Sequence, residues 1–206
     1  MNPATEYITH LSKDKKLKAI IYRQQPLKLV RRKNIHLHLC SSIMSQQLST
    51  RVADTIHKRF LKLYGGKGPT PGQILDTSVE MLRAIGLSNA KASYIHNVAR
   101  FAIEEGIDYR HLNKMDDEEV ITHLTRIKGV GKWTAEMLLM FTLGREDVFA
   151  VDDLGIQQSM KALYKLDNSD KKQFREDLLT ISWKWSPYRT YACLHLWHWK
   201  DKGLGK

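Results

Sequence analysis

A chain of 206 residues, 42% of them hydrophobic, has the material for one compact domain or two small lobes, and no apolar run approaches the roughly 18 residues a membrane helix requires. The 33 Lys and Arg outnumber the 22 Asp and Glu, leaving a net charge of +11 that favours a polyanionic partner, nucleic acid first, although a basic soluble surface gives the same balance. Met1 to Glu6 carry no basic-then-apolar secretion pattern. Cys40 and Cys193 are too few for an iron–sulfur cluster, and their apolar settings read as buried reduced thiols of a cytosolic protein.

Helical periodicity recurs along the chain and strand signals are scarce. Asn34 caps a predicted helix through Ile35, Leu39, Ile43 and Met44, which breaks at Gln46-Gln47-Leu48-Ser49. Ser49 opens the next, with Val52, Ile56, Phe60 and Leu63 on one face, and Gly65-Gly66 ends it. Thr70-Pro71 starts a short helix, Thr77-x-x-Glu80 reads as a capping box, and Ser88 opens a longer helix that stops at Gly106. Asp116-x-x-Glu119 caps Val120 to Leu124. A further helix ends at about Leu143 with Gly144 as its stop, and others follow from Leu154, Ser169 and Pro187. The expectation is an all-α fold of nine or ten short helices.

Between two of these helices lies Thr125 to Met137, TRIKGVGKWTAEM. Glycines at 129 and 131 permit a tight turn and close approach of another backbone. The N–H groups of Val130, Gly131 and Lys132 would then open a helix and present an anion site, with Lys132 adding a charge. Taken alone, the same pattern is also an ordinary turn between helices.

Ile127 to Ala135 resembles the hairpin of the helix–hairpin–helix (HhH-GPD) DNA glycosylase superfamily, and Asp147 to Ile156 resembles the loop with a single aspartate that follows it. Ala150 stands where the family often has proline. Ile43 to Ser49 and Tyr191 to Trp197 extend the similarity across roughly Leu17 to Trp199, with the AlkA and yeast Mag type of 3-methyladenine DNA glycosylases as the nearest subgroup.

The resemblance implies two helical lobes with an active-site cleft between them, the hairpin lobe over 34–150 and the second over 1–33 plus 151–206. It implies Asp153 as the catalytic carboxylate, with Asp152 as the rival and helix capping as the alternative role of either. Trp133 and Trp197 match base-pocket positions. Met137 shares a helix face with Trp133, Leu154 follows Asp153, and core packing is the competing role for both. Gly129, Val130, Gly131, Lys132 and Thr134 are the expected DNA contacts, and Gln47 the plug for the gap an extruded base leaves. His195 resembles a family histidine near the site and equally suits a core position.

Family members that also cut the strand use a lysine two places after the second glycine, where this chain has Trp133, so the implied activity is monofunctional. An alkylated purine is already cationic and leaves neutral, so one carboxylate suffices where sugar hydrolysis usually takes two. A charge pair at about 4 Å in an effective dielectric near 20 is worth roughly 4 kcal/mol, or about 10³ in rate. No cofactor is expected. Some relatives hold a Na+ or K+ on hairpin carbonyls, here those of Thr125, Ile127 and Val130. The expected partner is duplex DNA with alkylated bases, acted on by a monomer in a bacterial nucleoid or a eukaryotic nucleus. The alternatives are an oxidised-base glycosylase with lyase activity and a non-enzymatic helix–hairpin–helix module.

Overall fold

The computed structural model describes residues 3–203 and shows thirteen α-helices, one π-helical turn and no strand among them. None of these helices is long and apolar enough to cross a membrane. The chain forms two compact units, Arg31–Leu143, and Met1–Val30 with Gly144–Lys206. The second change of unit falls at Gly144 (φ +67°), ahead of residue 150, because a positive-φ glycine ends the helix there.

In the 31–143 unit, α3 (Ile35–Ser45), α5 (Pro71–Leu75) and α6 (Val79–Ala84) pack on α7 (Asn89–Glu104), which buries Ala92, Ile95, Val98 and Ala99. α4 (Thr50–Leu63) lies against α3, and α9 (Asp117–Thr125) and α3 contact α10 (Lys132–Leu138). The short α8 (Tyr109–Leu112) starts at Asp108, whose carboxylate accepts from the N–H groups of Arg110 and His111. Thr70 and Asp116 both make full capping boxes, and Ser88 Oγ accepts from the Lys91 N–H. Asn34 and Ser49 occupy N-cap positions without a side-chain cap bond.

One cap is displaced by a residue. Ser78, not Thr77, caps α6, accepting from the Met81 N–H at 3.2 Å. The Thr77 hydroxyl is engaged with the Gln73 carbonyl and the Tyr64 phenol, both at 2.8 Å, which buries it. α10 continues as a π-helical turn over Leu139–Leu143.

In the other unit, α1 (Pro3–Leu11) and α2 (Lys15–Ile21) precede residue 30, and periodicity over so few residues does not announce them. Asp14 caps α2 through the N–H groups of Lys16 and Leu17. Its other oxygen accepts from the Tyr164 hydroxyl at 2.6 Å and the indole N–H of the buried Trp185 at 3.3 Å. Burial pushes the Asp14 carboxyl up, but these four hydrogen bonds together hold it below the usual carboxylate range. α2 packs on α11 (Leu154–Tyr164) and α13 (Arg189–Asp201), and the rings of Tyr7 and Tyr191 stack at 4.1 Å. α12 (Lys171–Trp183) starts from Asp170, one residue after the expected Ser169, because the Asp170 carboxylate takes the Lys172 and Gln173 N–H groups.

Candidate active site

α11 begins at Asp153, whose Oδ1 accepts from the Ile156 N–H at 2.8 Å and from the Trp197 indole N–H at 2.8 Å. One carboxylate thus caps one helix and joins a second, α13. Gly155 makes this possible: a Cβ there would lie 3.0 Å from both Trp197 Cδ1 and Asp153 Oδ1, so any side chain would press on the indole and the carboxylate together. Sequence reasoning did not single out Gly155, since its constraint comes from a residue 42 positions away.

The loop that delivers Asp153 is fastened to the start of α13. Thr190 donates its N–H to the Glu146 carbonyl at 2.9 Å and its hydroxyl to the Arg145 carbonyl at 2.7 Å, and accepts from the Val148 N–H at 3.0 Å. Arg189 holds both oxygens of Asp147, at 2.7 and 2.9 Å, with Ser186 Oγ also donating at 2.7 Å. Burial raises the Asp147 carboxyl, yet the bonds from Arg189 and Ser186 outweigh it and leave it lowered. Further along the loop, Gln157 Nε2 donates to the Val151 carbonyl at 2.9 Å.

Asp152 is not the helix cap. It is exposed and paired with Arg175 of α12, and the capping position belongs to Asp153 itself. Leu154 is 65% exposed, so it is not core. His195 is fully buried, with Nδ1 at 2.9 Å from Gln24 Oε1 while Gln24 Nε2 donates to its carbonyl. Burial, with the nearby His198 charge, pushes its imidazole down to about 4. It is a neutral core histidine whose partner is a glutamine side chain.

In the other unit the hairpin turn rests on α7. Gly129 has φ +108°, and a Cβ there would lie 2.3 Å from Tyr94 Cγ, so both the backbone angle and the tyrosine ring demand glycine. Asn97 Nδ2 donates to the Lys128 carbonyl at 3.1 Å. Gly131 differs: its φ is −94° and a Cβ would meet nothing within 4 Å. Nothing inside the molecule requires glycine at 131.

The Val130 N–H is spent within the turn on the Ile127 carbonyl at 2.9 Å, so it is not one of the helix-opening donors expected of it. The first turn of α10 carries instead the N–H groups of Lys132, Trp133 and Thr134, and Gly131 supplies no side-chain cap. Thr134 is 3% exposed, so its side chain is buried and does not stand on the surface as a DNA contact. Lys132 is half-exposed, its Nζ 3.9 Å from the buried Glu136 carboxylate one turn on.

Trp133 is 41% exposed. Met137 lines a cavity of about 150 Å³ with His38, Leu39, Ser42, Thr134, Leu138, Phe141 and Thr142, and Trp133 is not among the lining residues. Gln47 is exposed and holds φ +57°, a left-handed backbone uncommon for a residue other than glycine. Of the expected site residues, the structure joins Asp153 to Trp197 by a hydrogen bond and sets Gly129, Gly131 and Lys132 in one hairpin. Lys91 and Tyr94, which support that hairpin and the Gln47 turn, had no signal beyond their place in a helical run.

The profile of the HhH-GPD superfamily of base excision DNA repair proteins matches residues 40–183. DNA-3-methyladenine glycosylase 1 of Schizosaccharomyces pombe is 34% identical over 185 residues, 89% of this chain and 80% of the relative. A crystal structure of a Bacillus halodurans DNA-3-methyladenine glycosidase superposes with a TM-score of 0.82 at 37% identity, over 96% of this chain and 89% of that one. The S. pombe 3-methyladenine DNA glycosylase in complex with abasic DNA also scores 0.82, at 31% identity over 95% and 97% of the two chains. With more than half of its length under the family profile, helices throughout the described residues and a Gly-x-Gly hairpin in the 31–143 unit, this chain belongs to the HhH-GPD superfamily of base excision DNA repair proteins.

Proposed function

We propose that this chain is a monofunctional DNA glycosylase that hydrolyses the N-glycosidic bond of alkylated purines, of the 3-methyladenine and 7-methylguanine class, in duplex DNA. The observation that carries the proposal is the Asp153 carboxylate, fixed at the start of α11 by the Ile156 N–H and the Trp197 indole. The bond from C1′ to the base nitrogen breaks with its electron pair leaving on the cationic base, which departs neutral. Positive charge develops on the sugar, and Asp153 stabilises it. The oxygen of water then bonds to C1′, and its proton passes to Asp153 and on to solvent. Trp133 occupies the position at which strand-cutting relatives place lysine, so no amine is supplied for a Schiff base.

On this reading the base is extruded, and Trp133, Trp197, Met137 and Leu154 are the residues proposed to contact it. Gln47 fills the vacated duplex. The hairpin backbone at Gly129 and Gly131, with the first turn of α10 and Lys132, receives a backbone phosphate, the Val130 N–H being already engaged with the Ile127 carbonyl. Gly131 fits such a role, since the space beside its Cα is open and glycine permits closest approach.

The carbonyls of Thr125, Ile127 and Val130 form the donor set a structural Na+ or K+ would use. α9 ends at Thr125, where carbonyls lack intrahelical partners, and Ile127 keeps one lone pair after accepting from Val130. The chain is proposed to act as a monomer.

The test is a duplex carrying a single 7-methylguanine, incubated with the protein and divided before analysis. Free base with a strand cut only after alkali is the expected result. A strand cut without alkali would identify the lyase alternative, and duplex binding without base release the non-enzymatic one.

A further inference from the structure

α7 presents Lys91, Tyr94 and Asn97 at three-residue steps, one helix face. That face meets two separate turns. Lys91 Nζ donates to the Met44 carbonyl at 3.0 Å and the Gln46 carbonyl at 2.7 Å, where α3 ends and the chain turns at Gln47. Tyr94 lies under Gly129, and Asn97 holds the Lys128 carbonyl. Gln46 bridges the two turns directly, its Nε2 at 3.5 Å from the Gly129 carbonyl, a long contact that leaves most of the fastening to α7.

The chemistry at Lys91 suits a clamp. A charged donor to helix C-terminal carbonyls is favourable both as a charge-assisted bond and against the negative end of the α3 dipole. Carbonyls 44 and 46 straddle a change from helix to extended backbone, Gln46 having ψ 130°, and the next residue is the left-handed Gln47. A left-handed non-glycine costs of order 1 kcal/mol or more and persists only where its surroundings impose it. Leu48 N–H to Ser45 O at 3.2 Å closes the turn, and Lys91, with two bonds against the one long contact of Gln46, anchors it to the rest of the unit.

We propose that Lys91 is a positioning residue for base extrusion: it sets the Gln47 turn against the hairpin, so that the plug enters the duplex in register with the phosphate held at Gly131. This inference rests on the plug role assigned to Gln47 above. Lys91 acts through the Met44 and Gln46 carbonyls and touches neither base nor sugar.

The experiment compares Lys91→Met, Lys91→Arg, Gln47→Ala and the double variant Lys91→Met/Gln47→Ala. Extrusion is followed by the fluorescence of 2-aminopurine placed beside a 7-methylguanine, excision by single turnover, and undamaged-duplex binding across a salt series. Lys91→Met removes both charge-assisted bonds and is expected to lower the extrusion signal and slow excision by about tenfold, while non-specific affinity and its salt slope stay at wild type. Lys91→Arg keeps a charged donor and is expected to recover most of the loss. In the Gln47→Ala background Lys91→Met should add little, because both act on one event.

If Gln47→Ala extrudes and excises normally, the plug reading itself falls. If Gln47→Ala is impaired but Lys91→Met is normal, the plug stands and the Lys91 proposal is overturned. A fall in the salt slope by about one for Lys91→Met would overturn it differently, making Lys91 a phosphate contact. A lowered melting temperature with unchanged extrusion and excision would reduce Lys91 to a stabilising residue. Should Lys91→Met fail to fold, Lys91→Gln, which keeps one donor for a carbonyl, supplies the same comparison.

Discussion

The start of α11 and the hairpin before α10 are both helix N-termini, yet they are built in opposite ways. At α11 a side chain caps the helix, with Asp153 Oδ1 taking the Ile156 N–H and a second bond from Trp197. At α10 the N-cap residue is Gly131, which has no side chain with which to cap the helix. The first arrangement brings a negative charge to a fixed point. The second presents N–H donors to whatever anion arrives. On the proposed function, which develops positive charge on a sugar while gripping a negative backbone, each terminus suits one of the two tasks.

The largest test of this contrast is Asp153→Asn. Asparagine keeps an oxygen for the Ile156 N–H, so α11 should still start correctly, but the charge is gone. Single-turnover excision of 7-methylguanine is expected to fall by about 10³ while binding to an abasic-site analogue survives. Asp152→Asn removes only an exposed pair with Arg175 and should leave excision unchanged and stability within about 1 kcal/mol. Normal excision by Asp153→Asn would break the comparison at its root.

The side-chain half should also be the pH-sensitive half. His195, two residues before Trp197, is held neutral by burial with its pKa down at about 4, against about 6.5 when unfolded. The unfolded chain therefore binds the extra proton between these values. This contribution is complete above pH 6.5 and is lost as pH falls toward 4, for a total of about 3 kcal/mol. Denaturant titrations across that range should show the slope, and His195→Gln should flatten it.

The glycines sharpen the backbone half. Gly129→Ala meets Tyr94 and a forbidding φ, and is expected to lose about 2 kcal/mol of stability by denaturant unfolding. Gly131→Ala has room and an ordinary φ, so stability should hold within about 0.5 kcal/mol while duplex affinity drops about tenfold. Smallest of all, Lys132→Ala should reduce the slope of log K against log salt by about one if it meets a single phosphate. An unchanged slope would assign Lys132 to Glu136 alone.

Local signals read well from the chain and distant ones did not. Thr70, Ser88 and Asp116 announce their helices because a cap and its partner lie within three residues. Thr77 misled because its hydroxyl had a better offer from Tyr64, 13 residues back in the chain. The family resemblance brought out Asp153 and Trp197, but the bond between them spans 44 residues and Gly155 is explicable only once that bond is known. Gly129 and Gly131 look alike in sequence. Only the position of Tyr94 separates the glycine the fold needs from the one it does not. Lys91 was invisible for the same reason, its two carbonyls lying 47 and 45 residues away.

The double tether on Asp153 has a consequence for the energetics of the barrier. In water, a carboxylate that is to face a newborn cation must first shed and turn its solvent, and that rearrangement is part of the activation free energy. Here one oxygen is already bound to a helix N–H and an indole N–H, so the dipoles around the charge are in place before any bond stretches. With Asp153 in its proposed catalytic role, that reorganisation is met once, when the chain folds, and each turnover is spared it. The same tether means that Trp197→Phe, although it keeps an aromatic face, would remove the indole bond and leave the Ile156 N–H to hold that oxygen, and on the proposed role of Asp153 the loss should appear in the chemical step rather than in binding.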